Sequence, residues 1–466
     1  MPEPFDLTII GGGPAGYVAA LRAAQLNARV ALVEKAAVGG TCLNWGCIPT
    51  KALIRSAEAL LDARHAAALG VDIPGSPTAN LPRMMARKNE VVKSLVSGIE
   101  SLLTAGKVTV LRGEGRLTGQ QEGMWNVTVG GELLDARRVI LASGSVPARL
   151  PVSGNDLPGV ITSTEALDLK AIPASIVIAG GNVIGLEFAC LFWALGSKVT
   201  ILEMLPTLLP ATDERFAARM LALLRGRGVS VNLGAKVIGI EPGDANLVVH
   251  YQTPQAEATA SGDLVLLATG QRPFTENLGL ETAGVTMSRR AIAVNEYLET
   301  NLPGLFAAGD CTGGQMLAHV ASHAGIIATE NALGKHRPVD LGAVPACIFT
   351  MPEIASVGLT ERQAKEGGRA VTVGRFPFAA LGRALAMGET EGQVRLVCET
   401  GSGKVLGMHV MGPHASDLIA EGALAVRLVL TARDLADTIH AHPTLPEATA
   451  EAALSVFGEA IHQRKV

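Results

Sequence analysis

The sequence predicts an α/β fold with two βαβ units, followed by a C-terminal α+β domain. Three observations carry this prediction. A glycine-rich βαβ pattern occupies residues 5–34, the same pattern returns at 174–203, and strand-like segments dominate after residue 338. At 466 residues the chain is too long for a single core, so two to four domains are expected.

The first unit begins with the apolar strand Phe5–Ile10. Gly11, Gly13 and Gly16 follow, then an Ala-rich helix and a second apolar strand that ends at Glu34. In such a unit the first glycine permits a tight turn, the second lets a pyrophosphate approach, and the third lets helix and strand pack closely. The acid can accept hydrogen bonds from a ribose, so this unit predicts a bound dinucleotide.

The second unit repeats the first with one difference. Its first glycine, Gly180, and its acid, Glu203, are 23 positions apart, as are Gly11 and Glu34. Asn182 stands where the middle glycine belongs. Two such units predict two dinucleotides, or one dinucleotide and a decayed copy of the site.

Asn182 and Glu203 also bear on the second ligand. Asn tolerates positive φ better than other non-glycine residues, but its side chain would crowd a pyrophosphate. We therefore expect weakened but surviving nicotinamide binding. A carboxylate suits a free ribose hydroxyl and repels a 2′-phosphate, and residues 204–206 contain no Arg, so NAD is favoured over NADP.

A cysteine pair, Cys42 and Cys47, lies in the stretch Gly39–Lys51 directly after the first unit. Small residues and a Thr before an apolar run predict a helix start, where a thiolate is stabilised. Two alternatives are buried apolar cysteines and a zinc site, but zinc sites favour tighter spacing and a second ligand pair. A dithiol–disulfide cycle is the favoured interpretation, because a dinucleotide loop lies just upstream.

Composition excludes several classes of protein. The formal net charge is −4 without a long basic run, which argues against nucleic acid as a partner. No uninterrupted apolar stretch is long enough for a membrane span, and the first strand leaves no room for a targeting peptide. Six cysteines in this length are not a secreted disulfide framework, so we expect a cytoplasmic protein. We assign no metal ligands, and we expect core positions for the remaining cysteines, Cys190, Cys311, Cys347 and Cys398.

Between and after the two units, periodicity predicts further elements. Helices are expected at 55–70 and 84–105, the second packed on the core, and strands at 108–117 and 125–129. Two similar strand–turn segments follow, at 140–144 and 266–270, and a third strand reaches Asp310. In the C-terminal part, strands are expected at 346–358, 371–378, 393–398 and 404–411, and helices at 360–366, 415–430 and after 446. An antiparallel sheet with flanking helices is the predicted arrangement there.

A second group of reactive residues lies near the C-terminus, in the stretch His440–Glu447. Pro443 keeps His442 out of helical geometry, and Glu447 is close enough to orient the His442 ring if a turn intervenes. A carboxylate in that place stabilises the imidazolium and fixes the tautomer. His440 is interpreted as structural.

Together, and in this order along the chain, these motifs resemble the pyridine nucleotide–disulfide oxidoreductases. The cysteine stretch, with Leu43, Asn44, Gly46, Ile48 and Pro49, is most similar to that of the members that oxidise dihydrolipoamide. The resemblance implies FAD in the first unit and NAD in the second. It also implies four segments: an FAD domain at 1–148, an NAD domain at 149–270, the rest of the FAD domain at 271–340, and a dimerisation domain at 341–466.

The resemblance further assigns site residues. Those for FAD are Gly11, Gly13, Pro14, Ala15, Gly16, Glu34, Lys35, Gly40, Thr41, Lys51, Gly115, Ser143, Gly144, Asp310, Met316, Leu317, Ala318 and His319. Those for NAD are Gly180, Asn182, Val183, Ile184, Gly185, Glu187, Glu203, Val237 and Gly270. Lys51 and Glu187 would form a charge pair near the flavin, although a surface position is the commoner fate of a lysine.

The implied reaction uses Cys42, Cys47, His442 and Glu447. His442, stabilised by Glu447, would deprotonate a dihydrolipoyl thiol that attacks Cys42, while Cys47 would face the flavin. The resemblance also implies a homodimer in which His442 serves the cysteines of the other subunit. The lipoyl group would come from a separate chain of a 2-oxoacid dehydrogenase-type or glycine-cleavage complex.

Several rivals are less consistent with the residues. Glutathione reductase favours NADPH and needs arginines near the second acid, and these are missing. Mercuric reductase and high-molecular-weight thioredoxin reductase carry C-terminal cysteine pairs, whereas the last cysteine here is Cys398. A soluble transhydrogenase would lack one active-site cysteine. A flavin-bearing scaffold without catalysis has Asn182 as its only support.

Overall fold

The computed structural model describes residues 3–463, so the outermost residues of the first and last predicted domains, 1–2 and 464–466, lie outside the described part. The helices, in chain order, are α1 (Pro14–Gln25), α2 (Gly40–Trp45), α3 (Cys47–His65), α4 (Leu81–Ala105), α5 (Ser163–Ala166), α6 (Val183–Leu195), α7 (Glu214–Gly226), α8 (Leu280–Ala283), α9 (Ala318–Ala332), α10 (Glu361–Glu366), α11 (Gly382–Met387), α12 (Ala415–Arg427), α13 (Ala432–Asp437) and α14 (Glu447–Val456). Short 3-10 helices occupy Ala66–Leu69, Asp310–Thr312 and Phe378–Ala380.

The strands of the first half are β1 (Phe5–Ile10), β2 (Val30–Glu34), β3 (Thr109–Arg112), β4 (Gly115–Gln121), β5 (Met124–Val129), β6 (Glu132–Leu141), β7 (Ser145–Pro147), β8 (Val160–Thr162), β9 (Ser175–Ala179), β10 (Lys198–Glu203), β11 (Ser230–Leu233) and β12 (Lys236–Pro242). Those of the second half are β13 (Leu247–Gln252), β14 (Glu257–Gly262), β15 (Leu264–Leu267), β16 (Gln271–Pro273), β17 (Met287–Ser288), β18 (Ala291–Ile292), β19 (Leu305–Ala307), β20 (Ala346–Ile348), β21 (Glu353–Gly358), β22 (Val371–Pro377), β23 (Gln393–Glu399) and β24 (Val405–Gly412).

Both predicted βαβ units are formed: the strands of each unit are parallel, and the first sheet also contains an antiparallel part, β6-β5-β4. The first sheet has the order β3-β2-β1-β6-β5-β4, with β19 parallel to β6, so the chain returns to this sheet after the second unit. The second has the order β11-β10-β9-β15-β8 and is parallel throughout. Apolar side chains cover both faces of each sheet, which explains the continuous apolar runs in the sequence.

The C-terminal part contains the predicted antiparallel sheet, in the order β20-β21-β24-β23-β22. Helix α12 packs on β21 and β24, and α14 packs on β22 and β23. The sheets of the two βαβ units and this antiparallel sheet with flanking helices confirm the predicted fold class.

Three predicted elements differ from the structure. Residues 108–117 form two strands, because Gly113, at φ +146°, ends β3 before β4 turns away to pair antiparallel with β5. The predicted strand 346–358 is likewise divided into the antiparallel pair β20 and β21. Helix α4 covers the predicted 84–105, but Leu95 and Leu102 on its apolar side are exposed, so it is only partly packed on the core.

Several elements have no counterpart among the sequence-based predictions. The largest are α7 and β11 of the second unit, the antiparallel sheet β12-β13-β14, and the ribbon in which β7 pairs with β16. The ribbon joins two segments more than 100 positions apart, and its local sequence is too short to show a period. Within residues 3–463, no helix is both long and apolar enough to cross a membrane.

Candidate active site

The cysteine pair lies where two helices meet. Gly39, at φ +93°, caps α2, whose first turn holds Cys42, and Cys47 is the first residue of α3. The prediction of a helix start at this stretch is therefore confirmed. Cys42 is half-buried and Cys47 is exposed.

The two thiols differ in acidity. A hydrogen bond with Cys42 and the charge of Lys51 lower the pKa of Cys47 to about 7, against burial and Glu187, which raise it. The same hydrogen bond, with burial, raises the pKa of Cys42 well above its usual range. The stabilised thiolate that the helix start predicts is thus that of Cys47. Two thiols in contact share one negative charge most easily, and Cys47 takes it.

Lys51 connects the cysteine helix to the second unit. Its Nζ donates hydrogen bonds of 2.8 Å to both carboxylate oxygens of Glu187 on α6. The Lys51 side chain is only 28% exposed, so the alternative of a surface lysine is wrong. Phe349, which the sequence analysis missed, completes the contact: its N–H donates to Glu187 Oε1 at 3.0 Å, and Lys51 Nζ lies 4.6 Å from its ring centroid.

The glycine turn of the first unit is tightly packed at one glycine and open at another. A Cβ on Gly16 would lie 1.7 Å from the carbonyl oxygen of Gly11, so no side chain fits. A Cβ on Gly13 would meet only Gly40, at 3.8 Å. Packing within the chain therefore does not require a glycine at position 13. With no side chain at that position, the space at the start of α1 is open.

Glu34 and Glu203 occupy equivalent places in the two units. Glu34 accepts the N–H groups of Gly12 and Ala36, each at 2.7 Å. Glu203 accepts that of Gly181 at 2.5 Å and that of Leu205 at 2.7 Å. Each carboxylate thus holds the glycine turn of its own unit against the end of that unit's second strand.

Other predicted FAD residues converge on the start of α1. Gly40 approaches Gly13 so closely that a Cβ on Gly40 would lie 2.6 Å from the Gly13 Cα, and Ala15 packs against Gly309, next to Asp310. Asp310 accepts a 2.6 Å hydrogen bond from Ser145. This bond lowers the pKa of Asp310, but burial has the larger effect and raises the pKa above its usual value.

The remaining predicted FAD residues lie around this centre. Ser143 donates to the Phe274 carbonyl at 2.6 Å, and Lys35 Nζ lies 4.1 Å from the Phe274 ring centroid. Gly115 packs against β1 and β2, while Gly144 has open space around it. Met316 and Leu317 precede helix α9, whose first residues are Ala318 and His319, and His319 Nε2 contacts the Pro345 carbonyl at 2.8 Å. Pro14 begins α1, and Thr41 lies in the first turn of α2.

In the second unit, Asn182 precedes α6 with φ −98° and ψ −168°, an extended conformation. Gly13 has nearly the same conformation, so positive φ is not needed at this position, contrary to the expectation. The Asn182 side chain is exposed and makes no capping hydrogen bond. Gly185 repeats the close contact of Gly16, since its Cβ would lie 2.0 Å from the Gly180 oxygen.

The other predicted NAD residues differ in how much space for a ligand lies beside them. Val183 and Ile184 open α6, and Gly270 lies in open space between β15 and β16. Val237 is buried in the core beside β13, which leaves only its main chain for contact with a ligand.

The predicted His–Glu pair is formed. His442 Nδ1 lies 2.8 Å from Glu447 Oε1, and the Thr444 N–H donates to Glu447 Oε2 at 2.8 Å. Burial alone would raise the pKa of Glu447, but these two contacts outweigh it and hold the pKa below its usual range. The His442 side chain is 77% exposed. Its partner Glu447 is the first residue of α14, which packs on β22, β23 and α13. One chain therefore brings Cys42, Cys47, Lys51 and Glu187 together, while the helix that begins with Glu447 packs mainly on elements of the C-terminal part.

Comparisons with known families identify this arrangement. Residues 5–325 match the model described as pyridine nucleotide-disulphide oxidoreductase, and residues 344–453 match the dimerisation domain of the same family. The chain belongs to the pyridine nucleotide-disulphide oxidoreductase family. Its cysteine pair and its His–Glu pair thus lie in the two parts that these models separate.

Relatives within the family cover nearly the whole chain. A dihydrolipoyl dehydrogenase of Bacillus subtilis is 41% identical, over 99% of this chain and 100% of its own length. One of Thermus scotoductus is 42% identical, over 99% of each chain. Among solved structures, LpdA from Mycobacterium tuberculosis has a TM-score of 0.90 at 31% identity, covering 97% of this chain and 99% of its own. The flavoprotein disulfide reductase RclA from Escherichia coli has a TM-score of 0.86 at 31% identity, covering 95% of this chain and 98% of its own.

Proposed function

We propose that this protein is a dihydrolipoamide:NAD⁺ oxidoreductase that works through FAD and the Cys42–Cys47 disulfide. The observation that carries the proposal is the unequal acidity of the cysteine pair beside the Lys51–Glu187 contact, in a chain about 40% identical to dihydrolipoyl dehydrogenases. The reaction converts dihydrolipoamide and NAD⁺ into lipoamide, NADH and a proton.

The first unit fits FAD. The starts of α1 and α2 meet at Gly13 and Gly40, and helix N-termini favour the charge of a pyrophosphate. The open space at Gly13 gives a pyrophosphate access to the main chain. The start of α9 and the carboxyl of Asp310 complete the set of residues that would hold the rest of the cofactor.

The second unit fits NAD. It has the same glycine packing at Gly185 and the same acid, Glu203, at the end of its second strand. A 2′-phosphate beside the buried carboxylate of Glu203 would be repelled. The exposed side chain of Asn182 lies at the mouth of the turn, so binding is expected but weakened.

The residues of this chain would act in sequence. His442 Nδ1 is held by Glu447, so Nε2 is free to take the proton of a substrate thiol. The thiolate attacks Cys42 of the disulfide and Cys47 leaves as a thiolate, which matches the lower pKa of Cys47. The second substrate thiol then displaces Cys42 and lipoamide is released. Bound FAD supplies the transfer of the two electrons from the dithiol to NAD⁺.

We also propose a homodimer with shared active sites, since within one chain the His–Glu pair packs away from the cysteines. Hybrid dimers test this. One subunit carries Cys47→Ser and the other His442→Gln, and the hybrid is purified through two different tags. A shared site predicts about half of the wild-type activity, because one of the two sites is intact. A site contained within each subunit predicts an inactive hybrid.

The partner in this proposal is a lipoyl-carrying domain of a 2-oxoacid dehydrogenase-type or glycine-cleavage complex, and the proposed location is the cytoplasm. The domain boundaries at 148, 270 and 340 belong to the same proposal. Those at 148 and 270 are supported by the β7–β16 ribbon, which pairs the two segments where the chain crosses between the first two sheets.

The experiment that tests the activity is an anaerobic titration of the purified protein with dihydrolipoamide, with NAD⁺ added last and absorption recorded throughout. We expect a long-wavelength band, as a thiolate next to a flavin gives, followed by NADH. Flavin bleaching without the band, or no NADH at any NAD⁺ concentration, would contradict the proposal and favour the scaffold interpretation that Asn182 suggests.

A further inference from the structure

The backbone that carries His442 has little regular support. We call residues 438–446, between α13 and α14, the base segment, and they form neither helix nor strand. Side chains hold it at both ends: Thr438 Oγ1 donates to the Asp434 carbonyl at 2.7 Å, and Thr444 is held by Glu447. A segment of this kind keeps one path only where such contacts fix it.

His440 is the buried contact in the middle of the base segment. Its side chain is 8% exposed, whereas that of His442 is 77% exposed and Ile439 is 97% exposed. His440 Nδ1 lies 2.8 Å from the Thr438 carbonyl, and Nε2 lies 2.9 Å from Glu421 Oε1. A carbonyl and a carboxylate only accept, so the ring donates at both ends when both bonds are made.

Glu421 anchors this contact to the rigid part of the domain. It lies on α12, whose buried side chains pack on β21 and β24, inside the antiparallel sheet. A continuous path therefore runs from the sheet through Glu421 and His440 to His442, two residues further along.

We infer that His440 and Glu421 are a positioning pair for His442, an inference that rests on the proposed function. They touch neither the cysteines nor Glu447. They fix the backbone at the middle of the base segment, so that Nε2 of His442 meets a substrate thiol in one place. A misplacement of about 1 Å at such a group can cost on the order of 10²-fold in rate.

A third His–carboxylate contact in this region has a different position. His462 Nδ1 lies 2.6 Å from Glu451 Oε1, one helical turn after Glu447 on α14. The electrostatic interaction of Glu447 with His462 helps to lower the pKa of Glu447. The hydrogen bonds of Glu451 go to residues 461 and 462, so this contact, unlike that of His440 with Glu421, does not fix the backbone of the base segment.

The test compares Glu421→Ala with Glu421→Gln in the FAD-loaded enzyme. Alanine removes the acceptor for His440 Nε2, whereas glutamine keeps an acceptor oxygen. We expect Glu421→Ala to lower kcat for dihydrolipoamide oxidation by about 10- to 100-fold with little change in KM, and Glu421→Gln to restore most of it. NADH oxidation by ferricyanide, which needs no base at the disulfide, should stay within about twofold in both variants.

Asp417→Ala is the matched control. Asp417 is on the same helix and also contacts a histidine at 3.3 Å, but it is exposed, and its partner His414 lies outside the base segment. This variant should keep both activities. Equal activity of Glu421→Ala and wild type would overturn the positioning role.

Loss of both activities together in Glu421→Ala, or dissociation of its dimer in sedimentation, would show a role in folding or assembly and would also overturn the inference. A wild-type protein that oxidises NADH with ferricyanide but never oxidises dihydrolipoamide would contradict the proposed function itself, and the inference would fall with it.

Discussion

Lys51 Nζ lies 2.8 Å from both carboxylate oxygens of Glu187, although 136 positions separate the two residues. Lys51 is on the helix that begins with Cys47, and Glu187 is on the first helix of the second unit. The contact therefore fixes the cysteine helix against the predicted NAD-binding unit. It also places a positive charge near Cys47, partly balanced by the carboxylate.

Lys51→Met should raise the pKa of Cys47 above its value of about 7, because the charge that stabilises the thiolate is removed. Alkylation of the reduced enzyme by iodoacetamide measures the thiolate. In the wild type the rate should rise with pH through about 7, and in the variant the rise should move to higher pH. At pH 7 we expect a rate lower by roughly a factor of 3 to 10.

Glu187→Gln is the opposite control for this prediction. Glu187 raises the pKa of Cys47, so its neutralisation should move the alkylation profile to lower pH. Profiles that coincide for wild type and both variants would show that the Lys51–Glu187 contact does not set the acidity of Cys47.

His442→Gln should lower dihydrolipoamide oxidation by about 10²- to 10⁴-fold, the usual contribution of a positioned general base. Glu447→Gln should also lower this rate, because the amide has one acceptor oxygen for two donors. With that oxygen on the Thr444 N–H, the amide nitrogen faces His442 Nδ1 and favours the tautomer that carries its proton on Nε2. The measurement is steady-state kinetics, with NADH–ferricyanide activity as the control for an intact flavin site. Unchanged lipoamide activity in His442→Gln would contradict the role of this residue as a base.

Asn182→Gly should lower the KM for NAD⁺ by about two- to tenfold. The backbone at 182 is already extended, so glycine adds no strain and removes a side chain that stands exposed at the start of α6. The KM for NAD⁺ of Asn182→Ala, which keeps only the Cβ of the side chain, should lie between those of the wild type and Asn182→Gly. A KM for NAD⁺ that is the same in all three proteins would show that Asn182 does not crowd the cofactor.

Gly13→Ala and Gly16→Ala should fail in different ways. The first has room for a Cβ in the folded chain, so we expect a folded protein that binds FAD at least tenfold more weakly. The second places a Cβ 1.7 Å from a main-chain oxygen, so we expect little folded protein. Circular dichroism and flavin content distinguish the two, and a Gly13→Ala variant with full flavin content would contradict the pyrophosphate assignment.

Local patterns explain why much of this molecule could be predicted. Each βαβ unit is complete within about 30 residues, and the contacts that define it, such as Gly12 with Glu34, join nearby parts of the chain. The helix start at Gly39 and the His442–Glu447 pair are likewise local. Two strand predictions failed through a local turn: residues 108–117 are divided at Gly113, and residues 346–358 are divided between β20 and β21.

Contacts between distant segments could not be predicted from residue patterns in the same way. Nothing in the sequence around Phe349 indicates that its N–H and ring surround Lys51 and Glu187. Ser145, which donates a hydrogen bond to Asp310, follows Ser143 and Gly144 in a turn of small residues, and only those two were predicted as flavin contacts. The backbone at Asn182 was misjudged because its conformation depends on how the turn packs against β9 and α6.

The sequence by itself determined the two dinucleotide-type units, the cysteine pair, the terminal His–Glu pair and the antiparallel C-terminal sheet, because periodicity and spacing act over short stretches of chain. Only the tertiary structure decided which thiol is the more acidic. That property depends on burial and on the charges of Lys51 and Glu187, and these meet Cys47 only when the helices of two separate units pack together.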